Sequence, residues 1–221
     1  MKMKITDWRL IDYKTAWGQQ EALFNAIMEA KKEKQDTRGM EYLILCEHPH
    51  VYTLGRQGNP HNLLINDEDL KKIEAVFYHI DRGGDITYHG PGQLVGYPIL
   101  DLENHHFSLK GYIYNMEEAI IRTLSDYGIV SERLEGATGV WIDSHSTCAR
   151  KICAIGVRAS RFVTMHGFAL NVNTDLNYYQ YINPCGFVDK GVTSIQKEIG
   201  EKVDFEGVKE KLATCFTALF E

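Results

Sequence analysis

The sequence lacks the features that would tie the protein to a membrane or to nucleic acid. No apolar run approaches the roughly 20 residues that a transmembrane helix requires. The first ten residues, MKMKITDWRL, lack the apolar core of a secretory signal. Basic residues are also too few for a general nucleic-acid binder, because the formal net charge is −6 and neutralising phosphates demands a basic surface. We therefore expect no membrane partner and no nucleic-acid partner.

Cysteine is scarce and does not form a disulfide framework. The five cysteines are Cys46, Cys148, Cys153, Cys185 and Cys215. An odd number without close spacing is typical of reduced thiols in the cytosol. The sequence therefore predicts a cytoplasmic protein.

A convincing metal-site pattern is also missing. His48 and His50 would share one face of an extended chain, but Pro49 breaks regular pairing. No carboxylate or thiol is placed to complete the shell. We expect hydrogen-bonded loop histidines here, no metal and no cofactor, and we expect His105 and His106 to face solvent in a polar connection.

The composition that is present is that of an ordinary globular domain. The 221 residues are 44% hydrophobic and 24% charged, which permits a sizeable core. Apolar residues at helical spacing predict helices over 13–35, 67–73, 108–127 and 205–220. Short apolar runs predict strands at 41–46, 51–54, 75–80, 94–100, 139–142, 151–157 and 162–172, with an irregular stretch after residue 173. We expect one α+β domain over residues 1–221, a mixed β-sheet covered by helices.

The most unusual segment is RGGDITYHGPGQ, residues 82–93, which lies between two predicted strands. Its four glycines allow positive φ angles and let another molecule approach the main chain. Arg82, Asp85, Tyr88, His89 and Gln93 add charge and hydrogen-bonding groups. The segment is therefore predicted to hold a ligand.

Two further residues are candidates for catalysis. Cys185 lies in the sequence Asn-Pro-Cys-Gly, where proline and glycine restrain the backbone, and a nearby cation would make its thiol a nucleophile. Lys151 begins the largely apolar strand KICAIGV, where partial desolvation would lower a lysine pKa. A lysine snorkelling at a strand end remains the alternative. Spacing alone does not bring the two residues together.

These residues occur in an order that resembles a known family. The motifs HPHVYTLGR, RGGDITYHGPGQLVGYP, ARKICAIGVR, HGFALNV and NPCGF are similar to those of the octanoyltransferases of lipoate biosynthesis, across about residues 48–193. The resemblance implies the fold of biotin ligases and lipoate–protein ligases. It also implies transfer of an octanoyl group from octanoyl-acyl carrier protein to a specific lysine of lipoyl domains, those of 2-oxoacid dehydrogenases and of the glycine cleavage H protein.

The resemblance also assigns roles to residues. Cys185 would form an acyl-thioester intermediate, and Lys151 would lower its pKa and move protons. The residues implied to line the acyl pocket are Arg82, Gly83, Gly84, Asp85, Ile86, Thr87, Tyr88, His89, Ala154, Ile155, Gly156, Gly167, Phe168 and Ala169. The roles of His89 and His166 stay open between orienting pocket groups and a structural function.

Three other interpretations remain open. An ATP-dependent lipoate–protein ligase needs the lysine but no cysteine nucleophile, and its glycine motif usually has the form RRxSGGGxVYH. An octanoyl amidotransferase would differ in its donor, a lipoyl domain. A non-catalytic module that binds acylated carrier domains would need neither Cys185 nor Lys151.

Overall fold

The computed structural model of the protein describes residues 3–183 and 190–220. The strands are β1 (Lys4–Leu10), β2 (Tyr42–Glu47), β3 (Val51–Leu54), β4 (Val76–His79), β5 (Ile86–His89), β6 (Gln93–Ile99), β7 (Glu132–Leu134), β8 (Ala137–Ile142), β9 (Arg150–Ser160), β10 (Val163–Asn171) and β11 (Gly191–Val192). The helices are α1 (Tyr13–Lys32), α2 (Asp67–Lys72), α3 (Leu109–Ser125), α4 (Ile195–Ile199) and α5 (Phe205–Phe220). Two 3₁₀ helices cover Pro60–Asn62 and Leu176–Tyr181.

The larger of two sheets carries the core. Its strand order is β1-β2-β6-β10-β9-β8-β7, and β11 adds to β9. The pairs β1–β2 and β9–β11 are parallel, whereas the other neighbours are antiparallel. Every residue of β6 and β10 is buried, because helices cover the centre of this sheet on both faces. The predicted mixed sheet covered by helices is confirmed.

The smaller sheet presents the glycine-rich segment. Its order is β4-β3-β5, with β3 parallel to β4 and antiparallel to β5. The loop between β4 and β5 contains Arg82 to Asp85, and β5 leads through Gly90 and Gly92 into β6. The segment therefore bridges the two sheets.

The long helices form where the apolar stripes and capping residues predict them. In α3 the stripe of Met116, Ile120 and Leu124 is fully buried, and the Ser108 side chain accepts a hydrogen bond from the Gly111 amide as N-cap. Helices α3 and α5 pack on one face of the large sheet. Helix α1, capped by Asp12, packs on the other face.

Some elements were not predicted. Strand β1 is half-polar and exposed, so its residues carry no periodic signal, and pairing with β2 is what orders it. The stretch after residue 173 contains the 3₁₀ helix Leu176–Tyr181 and helix α4, which are too short for their apolar spacing to be recognised. No helix in the described part of the chain is both long enough and apolar enough to cross a membrane.

The prediction that His105 faces solvent is wrong. Its side chain is only 12% exposed, and Nε2 lies 3.0 Å from Oε2 of the buried Glu41. Its ring stacks on Phe107. The neighbouring His106 is exposed, as predicted. A tertiary contact with Glu41, which is distant in sequence and lies just before β2, makes the difference between the two histidines.

Candidate active site

A cavity of about 590 Å³ lies where the glycine-rich segment crosses the large sheet. Its walls come from the β4–β5 loop, from β5, β6, β8, β9 and β10, and from β11. Every described residue that the sequence assigned to the site, apart from Tyr88, lines this one cavity. This size is typical of a small-molecule site.

Glycines in the β4–β5 loop and on β9 let the loop lie directly on this strand. The Gly83 amide donates to the Val157 carbonyl at 2.9 Å, and a Cβ on Gly156 would lie 2.8 Å from the Gly83 oxygen. Gly84 has a φ of +87°, which favours glycine. Gly83, Gly84 and Gly156 together therefore allow the main chain of the loop to form part of the cavity wall.

Arg82 and Asp85 fasten this loop from its two ends. Arg82 is 8% exposed, and its Nη2 donates to the Thr53 carbonyl oxygen at 2.7 Å. Asp85 accepts from the Asn62 side-chain amide at 2.5 Å and from the Asn59 backbone amide at 3.1 Å. The loop is thus tied to β3 and to the 3₁₀ helix Pro60–Asn62, and a cation is kept beside the cavity.

Lys151 lies at one end of the cavity, on β9 next to β8. Its Nζ donates to the Thr138 carbonyl at 3.1 Å and lies 4.6 Å from the centre of the Trp141 ring. The side chain is half-buried against this aromatic surface. The ammonium is therefore held at the cavity wall.

Cys185 lies outside the described residues, so its distance to Lys151 is not part of the structure. The chain on each side of residues 184–189 is fixed near the site. The Asn183 amide donates to the Asn62 carbonyl at 2.9 Å. On the other side β11 pairs with β9 so that Val192 lies opposite Lys151, and Lys190, Gly191 and Val192 line the cavity.

Two histidines with buried polar partners line the cavity. The His89 Nδ1 donates to Gln93 Oε1 at 2.8 Å, and burial lowers the pKa of His89 to about 3. The His166 Nε2 contacts Asp81 Oδ1 at 2.9 Å. Burial lowers the pKa of His166 although the Asp81 carboxylate opposes that shift. Burial therefore favours the neutral form of both imidazoles.

Comparison with known proteins identifies the family. The family described as "Lipoyl protein ligase A/B catalytic domain" matches residues 12–217. An octanoyltransferase from Bacteroides fragilis is 58% identical over 96% of this chain and 95% of its own length. One from Flavobacterium johnsoniae is 54% identical over 100% of this chain and 97% of its own. The chain belongs to the octanoyltransferases of this family.

Solved structures that resemble this octanoyltransferase share its fold. A bipartite lipoate protein ligase from Thermoplasma acidophilum superposes with a TM-score of 0.71 at 16% identity, covering 99% of this chain and 84% of that one. A biotin protein ligase from Aquifex aeolicus, in complex with biotin and ATP, gives a TM-score of 0.55 at 14% identity, covering 100% and 71%. The expected likeness to biotin and lipoate–protein ligases is confirmed for the fold. At these sequence identities the likeness shows the fold alone and does not show the activity.

Tyr88 differs from the other predicted pocket residues of this octanoyltransferase. It is fully buried on the opposite side of β5, where its hydroxyl contacts His50 Nδ1 at 2.8 Å and its ring stacks on Tyr178. Its neighbours on β5, Thr87 and His89, line the cavity, whereas Tyr88 packs into the buried cluster that includes Tyr52 and Tyr179. Tyr88 therefore supports the wall from behind.

The sequence did not single out Asn171 and Tyr179, two residues that shape this wall. Gln93 Nε2 donates to Asn171 Oδ1 at 2.9 Å, and the Tyr179 hydroxyl lies 3.3 Å from the same oxygen. Asn171 Nδ2 donates to the Thr193 carbonyl at 2.9 Å. Asn171 and Tyr179 line the cavity. A polar residue ending an otherwise apolar strand, as in HGFALN, was the available signal for Asn171.

The histidines of the HPH motif behave as hydrogen-bonded loop residues. His48 is fully buried, and its Nδ1 donates to the Ile11 carbonyl at 2.7 Å while Nε2 accepts from the Tyr97 hydroxyl at 2.6 Å. Burial lowers the pKa of His48 to about 4. These contacts occupy both ring nitrogens, so His48 orients Tyr97 at the cavity wall.

Proposed function

We propose that this protein transfers an octanoyl group from octanoyl-acyl carrier protein to a lysine of lipoyl domains through a thioester on Cys185. The observation that carries the proposal is the shared cavity of Lys151 and the glycine-rich segment, in a chain 58% identical to an octanoyltransferase. After residues 184–189, Lys190, Gly191 and Val192 line that cavity, and before them Asn183 is hydrogen-bonded to Asn62.

The chain before Cys185 supports a role for this residue at the cavity. Asn183 precedes Cys185 by two residues in the sequence. Asn183 is hydrogen-bonded to Asn62, whose side chain holds Asp85 of the glycine-rich segment. The described chain just before Cys185 is therefore linked to the glycine-rich segment, which supports the proposed role of the thiol.

The proposed chemistry has two half-reactions. In the first, the Cys185 thiolate attacks the carbonyl carbon of the donor thioester, and the bond to the phosphopantetheine sulfur breaks. That sulfur leaves as a thiol after taking a proton from Lys151. In the second, the acceptor lysine amine attacks the new thioester, the bond to the Cys185 sulfur breaks, and an amide forms. The amine proton passes to the Cys185–Lys151 pair, which restores the starting state.

The middle of the cavity suits an alkyl chain. Val95, Ile155, Phe168 and the two alanines Ala154 and Ala169 form its apolar lining. Burial of an alkyl chain contributes about 0.8 kcal/mol for each CH₂ group. Seven carbons beyond the carbonyl are therefore enough to select the acyl chain by its own burial.

Both substrates in this proposal are protein domains, and the acceptors would be the lipoyl domains of 2-oxoacid dehydrogenases and the glycine cleavage H protein. Acyl carrier proteins are acidic, so cations around the site would guide docking. Arg150 pairs with Glu198 and Asp143, and Arg158 pairs with Asp81. Arg56 and Arg161 are exposed and remain candidates for this contact. We also place the protein in the cytoplasm, which agrees with the free thiols of Cys46, Cys148, Cys153 and Cys215.

The decisive experiment is mass spectrometry of the intact protein after incubation with octanoyl-acyl carrier protein. We expect a single octanoyl adduct that maps to Cys185 and disappears when a lipoyl domain is added. Cys185→Ser should lack the adduct and lose at least about a thousandfold in transfer rate, because the thiolate is the nucleophile. Cys148→Ser, which changes an exposed cysteine, is the matched control and should behave as wild type.

Lys151→Ala separates the proton-transfer role from binding. We expect kcat to fall by about a hundredfold or more, with slower alkylation of Cys185 at neutral pH because the thiol pKa rises. Release of pyrophosphate during turnover would instead support the ligase. A preference for octanoyl-lipoyl domains as donor would support the amidotransferase, and tight binding without an adduct would support a non-catalytic module.

A further inference from the structure

One peptide group of β8 is hydrogen-bonded at both of its ends to charged side chains. The carbonyl oxygen of Thr138 accepts from Lys151 Nζ at 3.1 Å. The amide of Gly139, which belongs to the same peptide group, donates to Glu117 Oε1 at 3.0 Å. A planar trans peptide directs its N–H and its C=O in opposite directions. Glu117 of α3 therefore lies on one side of this peptide group, and the Lys151 ammonium lies on the other.

The 138–139 peptide group lies in an irregular part of β8. The pairing of β7 with β8 shifts its register between Arg133 and Leu134, so Thr138 and Gly139 lie outside the paired register. Gly139 has a φ of +126°, and a Cβ at this position would lie 2.5 Å from the Cys153 carbonyl oxygen. Glycine is therefore required for the peptide group to take this position.

Glu117 is buried and is held by a cation. Its side chain is 9% exposed, and Oε2 lies 3.1 Å from Arg133 Nε. Burial raises the pKa of Glu117, whereas its hydrogen bond and the cations Arg133 and Lys151 oppose that rise. Arg133 is fixed in turn, because Nη2 donates to the Tyr114 carbonyl oxygen at 3.0 Å and the guanidinium lies 3.7 Å from the centre of the Tyr114 ring. The carboxylate therefore has a fixed place behind β8.

A carboxylate in this place acts on the ammonium through the peptide group. A hydrogen bond at the amide polarises the peptide and strengthens its carbonyl oxygen as an acceptor. The acceptor bond to an ammonium is charge-assisted, so it gains most from this polarisation. A nearby negative charge also favours the protonated form of a lysine. Glu117 therefore restrains the position of Lys151 and favours its charged form.

Other titratable groups surround Lys151 as well. Cys153 of β9 is fully buried, and burial raises the pKa of its thiol. The charged or basic side chains that line the same cavity as Lys151 are Arg82, Asp85, His89, His166 and Lys190. The wild-type protein and a Glu117 variant share all of these groups, so a difference between the two proteins reports Glu117.

We propose that Glu117 is a positioning residue for Lys151, which acts through the 138–139 peptide group to hold the ammonium at the cavity wall and to keep it protonated. This inference rests on the proposed octanoyl transfer, in which Lys151 supplies a proton to the leaving sulfur. Glu117 lies behind β8 and outside the cavity lining, so it acts without touching the substrate.

The first test measures the pH at which Lys151 is half deprotonated. Trace labelling with acetic anhydride, which reacts only with unprotonated amines, is read by mass spectrometry of the peptides. Glu117→Gln keeps an oxygen that accepts from Gly139 but removes the charge, so we expect this midpoint to fall by at least about half a pH unit. The matched control is Glu118→Gln, which removes a carboxylate that pairs with the same Arg133 at 2.8 Å and should leave the midpoint unchanged. No fall in Glu117→Gln, or an equal fall in both variants, would overturn the proposal.

The pH profile of octanoyl transfer gives a second readout. The rate falls at alkaline pH as Lys151 loses its proton, and we expect this limb of kcat/KM to move to lower pH in Glu117→Gln. The ratio of wild-type to variant rate should therefore be constant near neutral pH and grow by at least about threefold across the alkaline limb. A loss of rate that is equal at every pH is the result of a merely structural role and would reject the proposal.

Labelling does not depend on turnover, so the two proposals fail differently. If wild type transfers no octanoyl group, the proposed function is wrong. If it transfers octanoyl but the Lys151 midpoint is the same in Glu117→Gln, only the role of Glu117 is wrong. If Glu117→Gln does not fold, as judged by circular dichroism, the wild-type protein decides by ¹³C NMR. The Thr138 carbonyl signal should then shift as Glu117 takes up a proton at acid pH, and the lack of this step would contradict the role of Glu117.

Discussion

At the scale of single residues, the cavity depends on positions that lack a side chain. A Cβ on Gly167 would lie 2.1 Å from the Gly96 carbonyl oxygen, and a Cβ on Gly96 would lie 2.0 Å from the Phe168 ring. These two glycines lie diagonally across β6 and β10, with Gly96 opposite Phe168, where both strands are wholly buried. The two strands therefore approach each other too closely at this point for a side chain at either glycine.

Gly167→Ala should therefore destabilise the protein by about 2 kcal/mol or more, because the new Cβ would meet the buried backbone of Gly96 and Cδ of Pro98, neither of which can move away easily. The matched control is Gly18→Ala, an exposed position in α1 with no atom within 4 Å of the new Cβ, which should add about 0.5–1 kcal/mol. Urea denaturation of both variants measures the difference. Equal effects at the two positions would show that the predicted clash is not real.

At the scale of elements, α3 connects the core to the cavity. Its Met116, Ile120 and Leu124 are buried between α5 and the large sheet, while Leu109 and Ile113 of its first turns line the cavity. The N-terminus of the helix must therefore be held in place for the cavity wall to be complete. The Ser108 cap supplies part of that restraint.

Ser108→Ala should lower the free energy of unfolding by about 1 kcal/mol, because the Gly111 amide loses its side-chain acceptor. Ser108→Thr keeps the acceptor and should stay within a few tenths of a kcal/mol of wild type. Thermal and urea denaturation provide the measurement. A threonine variant as unstable as the alanine variant would contradict the capping role.

At the scale of the whole molecule, a buried polar network joins distant parts of the chain. Glu41, before β2, accepts from the side chains of Asn104 and His105 and from the Asp101 amide. His105 also packs edge-on against Phe220 at the end of α5. The network thus ties the β6–α3 connection both to β2 and to the last helix.

This network predicts a pH dependence of stability. Burial alone would lower the pKa of His105, but Glu41 outweighs it and raises that pKa. Burial alone would raise the pKa of Glu41, but the hydrogen bonds from His105 and Asn104 outweigh it and lower that pKa. The histidine contribution is complete below its ordinary pKa near 6.5 and is lost as pH rises through the raised value. The glutamate contribution is complete above about 4.5 and is lost as pH falls through the lowered value.

The pair should therefore stabilise the protein most between about pH 4.5 and 6.5. Glu41→Gln should reduce the free energy of unfolding by about 1 kcal/mol more at about pH 5.5 than at about pH 9. Urea denaturation at the two pH values measures this. Arg38, an exposed residue paired with Asp36, offers a control substitution to alanine. A pH-independent loss in Glu41→Gln would mean that the ion pair contributes nothing.

Local sequence patterns determined where the long helices lie and which residues belong to the site. Apolar periodicity and capping residues located α1, α3 and α5, because helix formation depends on neighbours three and four residues apart. The motifs around Arg82, Lys151 and Gly167 indicated the family and the residues that share one cavity. Cys185 and its pairing with Lys151 remain a prediction, since that residue lies outside the described part of the chain.

Tertiary structure alone decided which side chains meet across long separations. His105 is buried because Glu41 lies against it, Tyr88 turns away from the cavity because β5 pairs with β3, and His166 meets Asp81 from another strand end. Asn171 and Tyr179 are joined to Gln93 only by folding. These contacts depend on sheet register and on burial, which arise from the whole chain and leave no pattern among neighbouring residues.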